Sequence, residues 1–411
     1  MQESETNRQV KRRRVFYVPG YDPFHPRRYR ELYRKESARQ AEISGYEIGL
    51  KPKAGGKGPY GWKVRSVQDG AEVAGEIDVL VWHDIVKDSM QPGIGATYLQ
   101  LARTAWAYIG SSALFRLMRL RKGPMIAALY PVFLLLGQLI FAVLAGLGLY
   151  QGVTLLLGDA LWVRGLGALA GLALIWAILS LFRRHDSKVF AYYLMHDYAF
   201  SAQAGGANPP ELETRMGEFA DIIAGALESD VDEVLVVGHS SGAHLAVSIL
   251  ADLLRDGRVP EDGPILSFLS LGQVIPMVSF LPKAHRLRTD LHYLGGQERM
   301  AWVDVTAPGD GCSFALCDPV AVSGVASDPQ LYPLVVSAAF TQTLSPEKWR
   351  AMRWKFFKLH FQYLCAFDRP EGYDYFRITA GPQTLAARFA ERSPSRSRIV
   401  TPVNRFTDLA A

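Results

Sequence analysis

Glu233-Val-Leu-Val-Val-Gly-His-Ser-Ser-Gly242, continued by Ala243-His-Leu-Ala-Val-Ser-Ile-Leu-Ala-Asp-Leu-Leu254, is the stretch whose reading decides the fold. Val234 to Val237 form a short apolar run rich in β-branched residues, as expected of a strand buried on both faces. From Ala243 onward the apolar residues recur at helical spacing. The chain must therefore turn within Gly238-His-Ser-Ser-Gly242, and the two flanking glycines remove side chains that would collide with neighbouring backbone. Strand, tight turn and helix in this order lift Ser240 above the end of a sheet in a strained conformation.

Outward from this unit, strands are expected at Val15-Phe-Tyr-Val-Pro19, Ile77 to Trp82, Val189 to Leu194, Ile265 to Leu271, Ala301 to Thr306 and Leu334 to Phe340. Edge strands are expected between Gly45 and Gly75, and helices at Arg27 to Ala41 and Pro210 to Leu227. Such alternation predicts an α/β fold, a mostly parallel sheet flanked by helices. Gly55-Gly-Lys-Gly58 lacks the spacing and hydroxyl of a phosphate loop and reads as a turn.

One interruption breaks the pattern. No charged residue occurs from Met125 to Gly158, and after Asp159 and Arg164 a second uncharged run covers Gly165 to Phe182. Each suffices for a helix of about 20 residues to cross a bilayer, so an inserted two-helix transmembrane hairpin is expected over residues 123–184. Arg119, Arg121 and Lys122 precede it and Arg183, Arg184 and Lys188 follow it, which orients both flanks to the cytoplasm. Gly167 and Gly171 would let the two spans pack closely. The expected organisation is a basic segment over 1–14, a first part of the soluble domain over 15–122, the hairpin, a second part over 185–391 and a flexible tail over 392–411. Both termini and the soluble domain would lie on the cytoplasmic side of a bacterial inner membrane.

Apolar residues make up 49% of the 411, but their concentration in the hairpin leaves a soluble-looking remainder. The net charge of +5 draws on Lys11, Arg12, Arg13 and Arg14 and on the arginines around the hairpin. With no nucleic-acid-binding motif beside them, these predict contact with anionic lipid. Three cysteines, Cys312, Cys317 and Cys365, are too few for a disulfide framework, and no histidine lies close enough in sequence to complete a zinc set. No metal or cofactor is expected. Met1 to Val10 are polar, without a cleaved secretory signal.

With Gly238-His-Ser-Ser-Gly242 set between strand and helix, the sequence resembles the α/β-hydrolase family from about Val15 to about Leu364. The resemblance implies a catalytic order of nucleophile, acid, histidine. Ser240 is then the nucleophile, and His360 is the one histidine of nine downstream of the plausible acids. Asp310, in the loop after Ala301 to Thr306, is the first choice of acid. Asp318, before Pro319, competes with it, and mid-strand Asp304 is a third candidate. The oxyanion donors would be the Ser241 N–H and that of Gly20 or Tyr21 in the turn after the first strand. Gly238, His239 and Gly242 complete the elbow, with His239 and His244 read as packing residues. A helix opening at Ser345-Pro-Glu-Lys348 departs from the simplest family pattern, and the aromatic and basic residues from Trp349 to Phe361 are an alternative membrane-surface face.

The function so implied is a membrane-anchored serine hydrolase cleaving carboxylic esters of lipid or other hydrophobic acyl substrates. A catalytically inactive scaffold of the same fold and an acyltransferase are the alternatives. Expected partners are membrane lipid and a hydrophobic ester, with no nucleic acid. Val274 to Pro282 reads equally as a lid or as a segment packed on the sheet.

Overall fold

A computed structural model describes residues 9–53, 58–90 and 93–409; Gly55 to Lys57 of the expected turn, and most of the basic segment before Gln9, lie outside them. The chain runs β1 (Arg12–Val18), α1 (Arg27–Ser44), β2 (Glu47–Pro52), β3 (Tyr60–Gln68), β4 (Ala71–Val79), α2 (Ile94–Gly110), α3 (Ala113–Leu120), α4 (Lys122–Leu157), α5 (Leu161–Arg184), α6 (Ala191–Ala202), α7 (Pro210–Leu227), β5 (Glu233–His239), α8 (Gly242–Arg255), β6 (Ile265–Leu271), α9 (His285–Gly295), β7 (Ala301–Thr306) and β8 (Leu334–Ser337). Shorter helices are named by their residues.

Alternating side chains along the central strands require cover on both faces of the sheet. Phe16, Val18, Val234, Val236, Leu266 and Phe268 pack with α7, α8 and α9. Val15, Tyr17, Leu235, Val237, Leu269 and Leu271 pack on the other face with Tyr29 and Tyr33 of α1 and with Phe376 and Phe389 near the carboxyl terminus. The result is a three-layer α/β fold around one sheet of order β2-β3-β4-β1-β5-β6-β7-β8. Both chain segments flanking the hairpin supply strands to it, as expected.

The sheet is mixed, so the expected mostly parallel arrangement holds only in part. β1 pairs parallel with β4 and β5, and β5 to β8 continue parallel. β2, β3 and β4 pair antiparallel. The reason lies in Asp69-Gly70, the two residues joining β3 to β4, whose φ values of 51° and 77° are those of a tight hairpin turn. A two-residue link cannot return the chain for parallel pairing.

Helices α4 and α5, of 36 and 24 residues, are long and apolar enough to cross a membrane. They pack on each other through the glycines: a Cβ on Gly171 would lie 2.8 Å from the Gly146 carbonyl oxygen, and one on Gly167 would lie 3.1 Å from the Tyr150 ring. Away from that seam, Leu155, Leu161, Trp162 and Trp176 stand exposed. The foot of α4 instead packs against the rest of the fold, where Met125, Pro131 and Leu135 are buried.

Three expectations are corrected. Val189 to Leu194 is not a strand; α6 starts at Ala191 and buries Ala191, Tyr192, Met195, His196 and Ala199, a helical spacing that a short apolar run does not disclose. Arg13 and Arg14, expected among the lipid contacts, are instead tied into β1. Arg13 is wholly buried against Glu233 at 2.6 Å, and Arg14 pairs with Asp78 at 2.5 Å. The tail is strapped down rather than flexible: Ser395 N–H donates to Val335 O at 2.8 Å, Ile399 N–H to Leu316 O at 2.7 Å, and Asn404 Nδ2 to Ser279 O at 3.0 Å. Its polar composition hid these backbone pairings. Ile275 to Leu281, the segment open to two readings, is buried, with Met277, Phe280 and Leu281 in a core cluster beside α3 and Val278 lining a cleft next to Ser241.

Candidate active site

Every residue of β5 is buried, which leaves the chain no room to leave the sheet gradually. Ser240 follows with φ of 57°, the left-handed region that a residue with a Cβ adopts at a cost. The bend is held from both sides: Ser240 N–H donates to Leu271 O at 3.0 Å, and Ala243 N–H donates to Ser240 O at 3.1 Å. Both flanking glycines are steric requirements. A Cβ on Gly238 would come within 2.7 Å of Ala243 Cα, and one on Gly242 within 2.1 Å of Val18 O. Gly20, after β1, is equally constrained, because its Cβ would lie 3.0 Å from that of Ser240.

His360 ends the short helix Phe356–His360 and is brought to the same end of the sheet. Its Nδ1 is 2.8 Å from Asp310 Oδ2, and both side chains are buried. The Nδ1–H tautomer donates to the carboxylate and leaves Nε2 without a partner among the described residues. Asp310 also accepts from the Cys312 N–H at 2.9 Å and the Tyr363 hydroxyl at 3.1 Å. Burial alone would raise its carboxyl, but the charge and hydrogen bond of His360, with the Cys312 N–H, hold it below the usual carboxylate range.

Two contacts bring His360 beside the elbow. His239 Nε2–H donates to the His360 carbonyl at 3.0 Å, with the two rings 4.8 Å apart. A Cβ on Gly272 would lie 3.1 Å from His360 Cε1, and Gly272 adjoins Leu271, the acceptor for Ser240. Burial, then the neighbouring His360, push the His239 ring down to about 3, so it stays neutral at pH 7. His244 is also buried and neutral, pushed down to about 4 by burial.

The other acids serve elsewhere. Asp318 accepts from the N–H groups of Val320 and Ala321 at 3.0 Å and caps the helix Pro319–Val322. Asp304 accepts from Ser270 Oγ at 2.6 Å inside the sheet, where burial pushes it up to about 8. Of the oxyanion candidates, Tyr21 is corrected: its N–H donates to Ser241 Oγ at 2.8 Å and is committed there. Gly20 N–H and Ser241 N–H, the latter at the amino-terminal cap of α8, remain.

Sequence reasoning missed three residues. Tyr363, one turn after His360, braces Asp310 and accepts from the Ala307 N–H at 2.9 Å. Cys312 supplies the N–H above, and its thiol is pushed up by burial. Asp197, on α6, lines a cleft with Tyr21, Trp82, Phe200, Ser241 and His244, and burial pushes it up to about 7. As the sole acid between Asp186 and Glu211, Asp197 was conspicuous in sequence, but the expected strand ended before it.

Among the described residues, Asp310, Cys312 and His360 form the one group whose donor atoms lie close enough, within 4.8 Å, to suggest a cation. The Asp310 to His360 separation is a hydrogen-bond distance, however; an ion about 2.1 Å from each would hold them about 3 Å or more apart. The pair fits a shared proton better than a bridging metal. Comparison of the chain with protein-family models, with curated proteins and with solved structures returned no match.

Proposed function

We propose that this protein is a membrane-anchored serine hydrolase of the α/β-hydrolase type that cleaves hydrophobic carboxylic esters through an acyl-enzyme on Ser240. The observation that carries this reading is the buried Asp310 to His360 hydrogen bond, set at the end of the sheet where Ser240 occupies a left-handed bend between two sterically required glycines. In the first half of the reaction His360 Nε2 takes the Ser240 hydroxyl proton while Oγ bonds to the ester carbonyl carbon. The Ser241 and Gly20 N–H groups bear the oxyanion. Collapse breaks the bond to the alcohol, which leaves with the proton from His360. Water then gives a proton to His360 and its oxygen to the acyl carbon, releasing the carboxylic acid and restoring Ser240.

The hairpin supports an integral membrane setting, and the basic residues at its two flanks support a cytoplasmic catalytic domain. A lipid-like or other hydrophobic acyl substrate follows from that location. Hydrolysis of an ester series of increasing acyl length by detergent-solubilised full-length protein tests the reading. Turnover is expected in wild type and not in Ser240→Ala or His360→Ala. Folded wild type without turnover of any member would favour an inactive scaffold, and transfer to an added alcohol in preference to water would reassign it as an acyltransferase.

A further inference from the structure

From Ser89 to Gly158 the sequence contains no acidic residue, yet it carries Arg103, Arg116, Arg119, Arg121 and Lys122. Helices α2 and α3 lie in this stretch, directly before the hairpin. On α2, Leu101, Thr104 and Tyr108 are buried, while Leu99, Trp106 and Ile109 face outward, 50%, 79% and 51% exposed. On α3, Leu117 is buried, whereas Phe115 and Met118 face outward. A helix buried on one side ordinarily turns polar residues to water on the other. These two turn apolar side chains outward, interleaved with arginines.

A second surface has the same chemistry. No acidic residue occurs between Glu347 and Asp368, while Arg353, Lys355 and Lys358 flank the exposed Trp354 and Phe356. This segment adjoins the hairpin from the other side. The Phe357 ring lies 5.1 Å from that of Phe190, just past the end of α5. A Cβ on Gly311 would lie 3.3 Å from Phe356, and a Cβ on Gly123, at the foot of α4, would lie 3.2 Å from Gly311 Cα. The two surfaces are thus linked through the base of the apolar hairpin.

We propose that α2, α3 and the segment Arg353 to Lys358 form a collar lying in the headgroup layer of the bilayer that the hairpin enters, and that the layer it fits is anionic. The inference rests on the hairpin spanning a membrane. Exposed Trp and Phe beside Arg and Lys match an interface with apolar chains below and phosphate above. The one-sided charge favours anionic lipid over zwitterionic. The collar reaches the catalytic groups directly, since Phe356 and Phe357 lead into His360, and Gly311 follows Asp310. Substrate then arrives from the leaflet rather than from bulk water.

The test uses full-length protein in vesicles of phosphatidylcholine, with and without phosphatidylglycerol, and compares wild type with Trp106→Phe and Trp354→Phe. Both tryptophans are exposed, so neither change disturbs the core. Each substitution is expected to remove a fluorescence component that brominated lipid chains quench and aqueous iodide does not, with stronger bromolipid quenching when phosphatidylglycerol is present. A component quenched by iodide, or shielded from both quenchers as beneath a protein partner or second copy, would overturn the collar; so would equal quenching in the two lipids, as regards its anionic preference. Trp162→Phe and Trp176→Phe report on the hairpin itself. If neither of these substitutions removes a bromolipid-quenched component, the spanning reading has failed, whereas such a component at Trp162 or Trp176 but not at Trp106 or Trp354 would defeat the collar alone.

Discussion

Holding Ser240 at a left-handed φ costs on the order of 1–3 kcal/mol, and the close approaches at Gly238, Gly242 and Gly20 are what sustain it. The same economy governs the acid. Three aspartates are candidates, but two are engaged elsewhere: Asp318 caps a helix and accepts from Gln330, and Asp304 accepts from Ser270 inside the sheet. Asp310 alone accepts from the His360 ring. Asp310→Asn is therefore expected to lower kcat by about 10³- to 10⁴-fold, because an amide stabilises neither the donating tautomer nor the imidazolium. Asp304→Asn should leave kcat within about threefold, and Asp318→Asn should cost about 1 kcal/mol of stability through its cap with little effect on turnover. Steady-state kinetics and thermal melts of the three variants side by side check this.

At the scale of elements, the β5 to α8 unit was fully legible, because a buried strand, two glycines and an apolar helix each leave a local signature in consecutive residues. Chain order under the family resemblance led to His360, and the loop after β7 to Asp310. What stayed hidden depends on partners distant in sequence. Arg13 reads as a surface charge until Glu233 is brought beside it, and the tail reads as mobile until its N–H groups meet Val335 and Leu316. Asp69-Gly70 carries a hairpin-turn signature in the sequence, whereas its flanking strands show only as weak edge strands. The hairpin crossing is local enough to be tested by one change. Gly171→Leu would place a side chain against the backbone of Gly146 on the facing helix. It is expected to destabilise the helix pair by about 1–3 kcal/mol, seen as a lower melting temperature in detergent while the ester hydrolysis rate of the folded fraction is unchanged.

For the molecule as a whole, buried titratable groups set opposite limits on pH stability. His244 and His239 are pushed from 6.5 down to about 4 and about 3, so the unfolded chain binds more protons than the native one in that window. Their contribution is complete above pH 6.5 and is lost as the pH falls toward 4 for His244 and toward 3 for His239. His244→Leu, close in volume, should therefore melt with a shallower pH dependence between 6.5 and 4 than wild type. Asp197, raised from 3.8 to about 7, has the reverse sign, because the native state binds the extra proton. Its burden on stability grows as the pH rises from 3.8 to 7, so Asp197→Asn should be more stable than wild type at alkaline pH, with the gap closing toward pH 4. Melting curves across pH for the two variants separate the effects. The central claim is that Ser240 is an activated nucleophile, and the most direct measurement is mass spectrometry of full-length protein treated with a fluorophosphonate in detergent. A single phosphonyl adduct on the peptide bearing Ser240, abolished in Ser240→Ala and strongly slowed in His360→Ala, is the predicted result. A folded wild-type protein that acquires no adduct, or an adduct that persists in Ser240→Ala, would contradict it.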